Sequence, residues 1–135
     1  MMDRLGFTGT RNKPTDAQLD WLWKHITGYD EVHHGACIGA DAACHQSAID
    51  GEVPIVVHPP ENTSRMMPYD GHGMWLPAKP YLERNRDIVD AAGDLFALPD
   101  GPERTKSGTW STVRYAVNLG RTVYICYPDG RTELR

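Results

Sequence analysis

A chain of 135 residues with 40% hydrophobic and 24% charged side chains is long enough to bury one core without disulfide or metal support. The formal net charge of -4 argues against indiscriminate polyanion binding, which needs a broadly basic surface. The first residues are too short and polar for a signal peptide and no apolar run reaches the length of a membrane span, so a cytoplasmic protein with no membrane contact is expected.

In chain order, residues 4–8 read as a short first strand, ending in Gly9-Thr10-Arg11, where a glycine and a hydroxyl meet a basic side chain. Thr15 then caps a helix with Leu19, Leu22, Trp23 and Ile26 as its buried stripe, stopped by Gly28. Residues 31–34 give a second strand, and the turn carrying Gly35, Gly39 and Asp41 leads into a small-residue helix that ends at Gly51. His45 lies one turn beyond Asp41, on the same helical face. The β-branched run at 54–57 is a third strand.

From 58 to 80 the pattern dissolves into Pro, Gly, Met and polar residues, a length more typical of a lid or binding loop than of a passive connector. Trp75 and Tyr81 flank its end, where they could stack on a base or pin the loop. A helix over 81–92 places Arg84 and Asn85 in its first turns; arginines there oppose the helix dipole, which points to a compensating anion or carboxylate. The apolar run 94–98 is a fourth strand and 122–126 a fifth; Pro128-Asp129-Gly130 is a turn, and the remainder reads as a loose tail.

Between the last two strands lies Lys106-Ser107-Gly108-Thr109-Trp110-Ser111-Thr112, followed by helical spacing at Val113, Ala116 and Val117. Strand, small polar loop and helix in that order present free backbone N–H groups at a helix N-terminus, which attract a phosphate or other anion. Ser107 or Thr109 as a simple cap is the structural alternative. From Gly101 to Arg121, Arg104, Lys106, Arg114 and Arg121 stand against Glu103 alone, a local balance suited to a small anionic ligand.

Five strands alternating with four helices predict a single α/β domain over 1–135: a Rossmann-like three-layer fold with an open, mainly parallel five-stranded sheet and helices on both faces. Ligands bind such sheets at the carboxyl ends of the strands, where the three glycine- and hydroxyl-bearing loops fall. Cys37, Cys44 and Cys126 sit in apolar neighbourhoods as buried free thiols, and their spacing with the histidines matches no recognised zinc site, so neither a metal nor a cofactor is expected.

Three segments, taken together, resemble the SLOG superfamily, which contains DNA-processing protein A and the LOG phosphoribohydrolases. They are the His34-to-His45 turn with its glycines and Asp41, the Arg84-Asn85-Arg86 helix start, and the Lys106-to-Thr112 segment. The resemblance spans nearly the whole chain and implies a Rossmann-like fold, a nucleotide or nucleotide-derived ligand, and commonly a homo-oligomer. With the loop at the carboxyl end of the first strand, which offers Gly9, Thr10 and Arg11, it gives the expected ligand contacts as those three and Gly35, Gly39, Asp41, His45, Arg84, Asn85, Ser107, Gly108, Thr109, Trp110 and Thr112. In LOG enzymes an arginine matching Arg84 and a glutamate three residues past the Gly-Thr cleave an N-glycosidic bond; here that glutamate position holds Thr112. A hydroxyl cannot take over a carboxylate's proton-handling or cation-stabilising role.

A nucleotide-binding or sensor module is therefore the leading expectation. N-glycosidic hydrolysis or transfer on nucleotides, with Arg84 and Asp41 as candidate catalytic groups, is the alternative. Single-stranded DNA binding, as in DNA-processing protein A, is a further one.

Overall fold

The computed structural model describes residues 2–135. Its strands run β1 (Arg4–Gly9), β2 (Glu31–His34), β3 (Ile55–Val57), β4 (Met74–Trp75), β5 (Asp94–Leu98), β6 (Thr122–Cys126) and β7 (Thr132–Leu134). Between them lie α1 (Asp16–Ile26), α2 (Ala40–Asp50), α3 (Tyr81–Ala91) and α4 (Gly108–Asn118). The sheet order is β4-β3-β2-β1-β5-β6-β7, parallel throughout except for the antiparallel β6–β7 pair.

Alternation along the strands divides the interior into two layers. Leu5, Phe7, Phe96 and Leu98 pack with Leu22, Ile26, Ala40 and Cys44 of α1 and α2. Leu95, Ala97, Val123 and Ile125 point the other way, against Val89, Trp110, Val113 and Ala116 of α3 and α4. Gly6 on β1 belongs to the second layer: a Cβ there would lie 3.2–3.3 Å from Leu95, Ala92 and Ile88, so its absence lets α3 approach the sheet.

The expected α/β architecture is present, with two corrections. The sheet has seven strands, not five. β4 lies inside the long 58–80 segment, where Met74 and Trp75 pair with Val56 and Val57. The supposed tail is β7: Gly130, at a φ of 89°, reverses the chain so that Tyr124, Ile125 and Cys126 pair with Leu134, Glu133 and Thr132.

The stripe of α1 also differs. Leu22 and Ile26 are buried, but Trp23 is exposed and Gln18 takes an interior place, donating to the Pro99 and Cys126 carbonyls. Gln18 also completes a capping box with Thr15.

Chain direction fixes where a ligand can sit. From β1 the connection runs to β2 on one side, while β5 pairs with β1 on the other. The switch in strand order opens a crevice at the carboxyl ends of β1 and β5.

Candidate functional site

A cleft of about 360 Å³ occupies that crevice. Its floor is the end of β1 through Asn12, one wall is Gly35, Cys37 and Asp41, and a second is Tyr81, Arg84, Asn85 and Ile88 of α3. The third side is Asp100, Arg104 and the run from Lys106 to Thr109. The three loops expected to converge do converge.

The α4 end of the cleft presents hydrogen-bond donors. Ser107 is the N-cap, and its Oγ accepts from the Trp110 N–H at 3.3 Å. The amides of Gly108 and Thr109, next in line, have no acceptor within the helix. The same cleft is lined by Arg11, at the end of β1, and by Lys106, just before the cap; their side chains take part in no ion pair among the described residues, whereas Arg104 is tied to Asp100 at 2.8 Å. The other helix N-terminus nearby is consumed internally. The Ala40 N–H donates to the Thr10 carbonyl, and Gly39, at a φ of 84°, lies so close to the Arg11 and Asn12 backbone that a Cβ would collide with it.

Arg84 is 5% exposed and serves as the wall's frame. Its Nη1 donates to the carbonyls of Gly35 and His58, its Nε donates to Asn85 Oδ1 at 2.8 Å, and its Nη2 has a long contact of 3.7 Å with Cys37 Sγ. The compensating groups expected for this cation are thus chiefly backbone oxygens. Arg84 and Arg11 both place their guanidinium carbons 5.2 Å from the centroid of the Tyr81 ring, so the two cations share one aromatic platform.

Asp41 is the unusual group. It is 7% exposed; its Oδ2 accepts the Cys37 N–H at 3.1 Å, and the Gly35 N–H also supports the carboxylate. Its Oδ1 has no hydrogen-bond partner. Burial pushes the Asp41 carboxyl up to about 6, against the opposing pull of Arg84 and the two backbone N–H groups. Burial likewise raises the neighbouring Cys37 thiol.

Four of the fourteen expected ligand contacts, and Trp75 besides, lie outside the cleft lining. Gly39 acts through the backbone packing described above. His45 turns away from Asp41: the Ala36 N–H donates to His34 Nδ1, so His34 Nε2–H donates to His45 Nδ1 at 2.8 Å, and His45 Nε2–H donates to Asp70 at 2.8 Å. This chain of neutral imidazoles fastens the long 58–80 segment to β2 and α2. Trp110 is a core residue, 1% exposed, beneath the Arg135 guanidinium. Thr112 is buried and its Oγ1 donates to the Gly108 carbonyl at 2.9 Å, a helical back-bond. Trp75 braces the long segment internally through its Nε1 bond to the His72 carbonyl and its contact with Tyr69, and its ring meets His45 of α2 with centroids 6.5 Å apart.

The sequence reading missed Asn12, Tyr81 as a cation platform, and the Asp100–Arg104 pair. The i,i+4 spacing of that pair was a usable signal. Cys37, Cys44 and Cys126 are buried free thiols. Among the described residues no group of three or more His, Cys, Asp or Glu side chains is placed to hold a metal ion, and no helix is long and apolar enough to cross a membrane.

No protein-family model matches the chain, and no curated protein matches it in sequence. Solved structures do match its fold. The molybdenum cofactor binding protein of the phototrophic bacterium Rippkaea orientalis superposes with a TM-score of 0.73 at 20% identity, over 94% of this chain and 77% of that one. DNA processing protein A from Streptococcus pneumoniae gives 0.70 at 19% identity, over 92% of this chain and 50% of that one. The chain has a SLOG-type fold. The Moco carrier protein of Chlamydomonas reinhardtii shares it as well, at a TM-score of 0.70 and 16% identity over 93% and 76% of the two chains. At these identities the likeness concerns the SLOG fold itself, and this chain spans half the length of the DNA-processing relative.

Proposed function

We propose that the cleft binds a small phosphorylated ligand of the nucleotide type and that the protein works as a binding or sensor module. One observation carries this reading: the unpartnered first amides of α4 face the same cleft as Arg11 and Lys106, two cations without a carboxylate partner. Helix dipole, free N–H groups and guanidinium together select a compact anion. Arg84 holds the wall in shape, and Asn85 and Thr10 line the space beside it. Two structural neighbours are named for binding or carrying molybdenum cofactor, which supports a small-molecule ligand over a polymer.

Catalysis of the LOG type has less support. The position where that chemistry needs a carboxylate is occupied by Thr112, whose hydroxyl is engaged with Gly108. The carboxylates lining the cleft are Asp41 and Asp100, and Asp100 is held by Arg104. Single-stranded DNA binding is the reading suggested by the other neighbour, and the net charge of -4 gives it little electrostatic support.

Calorimetric titration with ribose 5-phosphate and nucleoside monophosphates tests the proposal. Binding that weakens about three- to tenfold in each of Arg11→Ala and Lys106→Ala supports it. Absence of binding by every phosphorylated probe contradicts it, and release of free base during the titration would replace it with the enzyme reading. The protein is further proposed to act in the cytoplasm as a homo-oligomer, and light scattering of the purified chain checks the oligomeric state.

A further inference from the structure

A second and larger cavity, of about 780 Å³, lies on the α1 side of the sheet near the amino ends of β1 and β5, the opposite end from the cleft. It exists because the helical cover runs out there. Register aligns Phe7, Phe96, Tyr124 and Leu134 in one row across β1, β5, β6 and β7. Phe7 and Phe96 are buried with α1 and α2, Tyr124 is half-buried, and Leu134 is 65% exposed.

Aromatic rings and carboxylates share this space. Trp21 of α1 and Tyr29, just before β2, join Phe96 and Tyr124 in its lining. The ring centroids of Trp21, Tyr29 and Tyr124 stand 4.7, 5.3 and 5.8 Å from that of Phe96, at interplanar angles of 53°, 90° and 84°. Rings inclined in this way can meet a rounded group from more than one side. Asp94 and Asp3 line the same cavity, and among the described residues no Lys or Arg does. Asp94 is half-buried, accepts the Tyr29 hydroxyl at 2.7 Å through Oδ2, and enters no ion pair among the described residues. Burial first, and then the Asp94 carboxylate, push the Tyr29 hydroxyl up from its ordinary value, so it stays the donor of that bond.

We propose that this cavity binds a small organic ammonium ion with alkyl groups on its nitrogen, held against the Phe96, Tyr29 and Tyr124 rings with Asp94 as its counter-charge. The lining selects against other occupants. An anion would meet two carboxylates, and a neutral apolar body would strip water from Asp94 with nothing in return. A metal ion finds no set of three ligating side chains among the described residues. An alkylated ammonium brings apolar surface and positive charge together, and aromatic rings attract such a cation through their π-faces. The site is separate from the phosphate cleft and does not depend on it.

The experiment titrates choline and its uncharged carbon isostere, in which a tert-butyl group replaces the trimethylammonium, into wild type, Asp94→Asn and Tyr124→Leu. NMR of the probes' methyl protons reads the affinities. Wild type is expected to bind choline about five- to tenfold more tightly than the isostere. Asp94→Asn, whose side-chain oxygen can still accept from Tyr29, should erase most of that preference, and Tyr124→Leu should reduce it. Equal wild-type affinity for the two probes overturns the proposal, as does binding of neither, or a preference that both variants leave unchanged. A wild-type oligomer that Tyr124→Leu turns into a monomer in light scattering also overturns it, because a second copy of the chain then covers this face. Should Asp94→Asn not fold, Tyr124→Leu decides alone: an unreduced preference overturns the proposal. Neither probe carries a phosphate, so failure here leaves the reading of the cleft standing.

Discussion

The guanidinium of Arg84 lies flat against Gly35, donating to its carbonyl in the space where a side chain would begin. A Cβ at position 35 would stand 2.5 Å from Arg84 Nη1 and 2.6 Å from Cζ. The glycine is there for close approach: Gly35 is not among the residues with positive φ. Arg84 cannot swing aside cheaply, since the same group also holds the His58 carbonyl.

Gly35→Ala is therefore expected to destabilise the fold by about 1–3 kcal/mol through lost buried hydrogen bonds. It should also weaken phosphate-probe binding, because the cleft wall moves. Urea unfolding followed by tryptophan fluorescence measures the first effect; a variant as stable as wild type contradicts this account of Arg84.

Arg84→Ala removes a buried cation that satisfies two carbonyls and offsets Asp41. A loss of about 3–5 kcal/mol is expected, the range for breaking one partner of a buried charged cluster. Adding Asp41→Asn should recover part of that loss, since the two residues share an electrostatic environment. Additive effects in denaturant melts would show that they do not interact.

Asp41 and the histidines pull stability in opposite directions as pH changes. Burial raises the Asp41 carboxyl to about 6, from an unperturbed 3.8, so the folded state holds its proton more tightly than the unfolded chain. That contribution is fully present below the unfolded value and is lost as pH rises through about 6. Asp41→Asn should accordingly stabilise the protein at pH 7.5, by about 1.4 kcal/mol per unit of upward shift, and have little effect near pH 3.5. Equal effects at both values contradict the raised carboxyl.

Burial lowers His34, His33 and His58, the last to about 4. Each favours the folded state above the unperturbed value near 6.5 and loses that contribution as pH falls toward its folded value. Thermal melts from pH 7 down to 4 should show falling stability, and the fall should be steeper in Asp41→Asn, which lacks the opposing carboxyl. His58→Gln should flatten it. A melting temperature constant across this range contradicts the buried neutral imidazoles.

Much of this was legible in the sequence. The Ser107-Gly108-Thr109 loop between an apolar run and a helical stripe announced the N-terminus of α4, and its small residues left little else for it to do. β4 was hidden because two residues carry no alternation, and only the neighbouring β3 supplies its partners. β7 follows a visible turn, but Thr132, Glu133 and Leu134 are mostly exposed and lack an apolar face. His45 was assigned to the cleft by helical phase and by the resemblance of its turn. Its partners, His34 and Asp70, come from segments whose approach no local pattern reveals. Thr112 and Trp110 were carried in by resemblance to the α4 segment, while helical geometry turns one back onto Gly108 and the other into the core.

Backbone amide NMR during titration with a nucleoside monophosphate tests the phosphate site most directly. The account predicts that the N–H resonances of Gly108 and Thr109 shift furthest, saturate with a single affinity, and respond less in Lys106→Ala. Shifts confined to other elements, with Gly108 and Thr109 unmoved at saturating ligand, would contradict it.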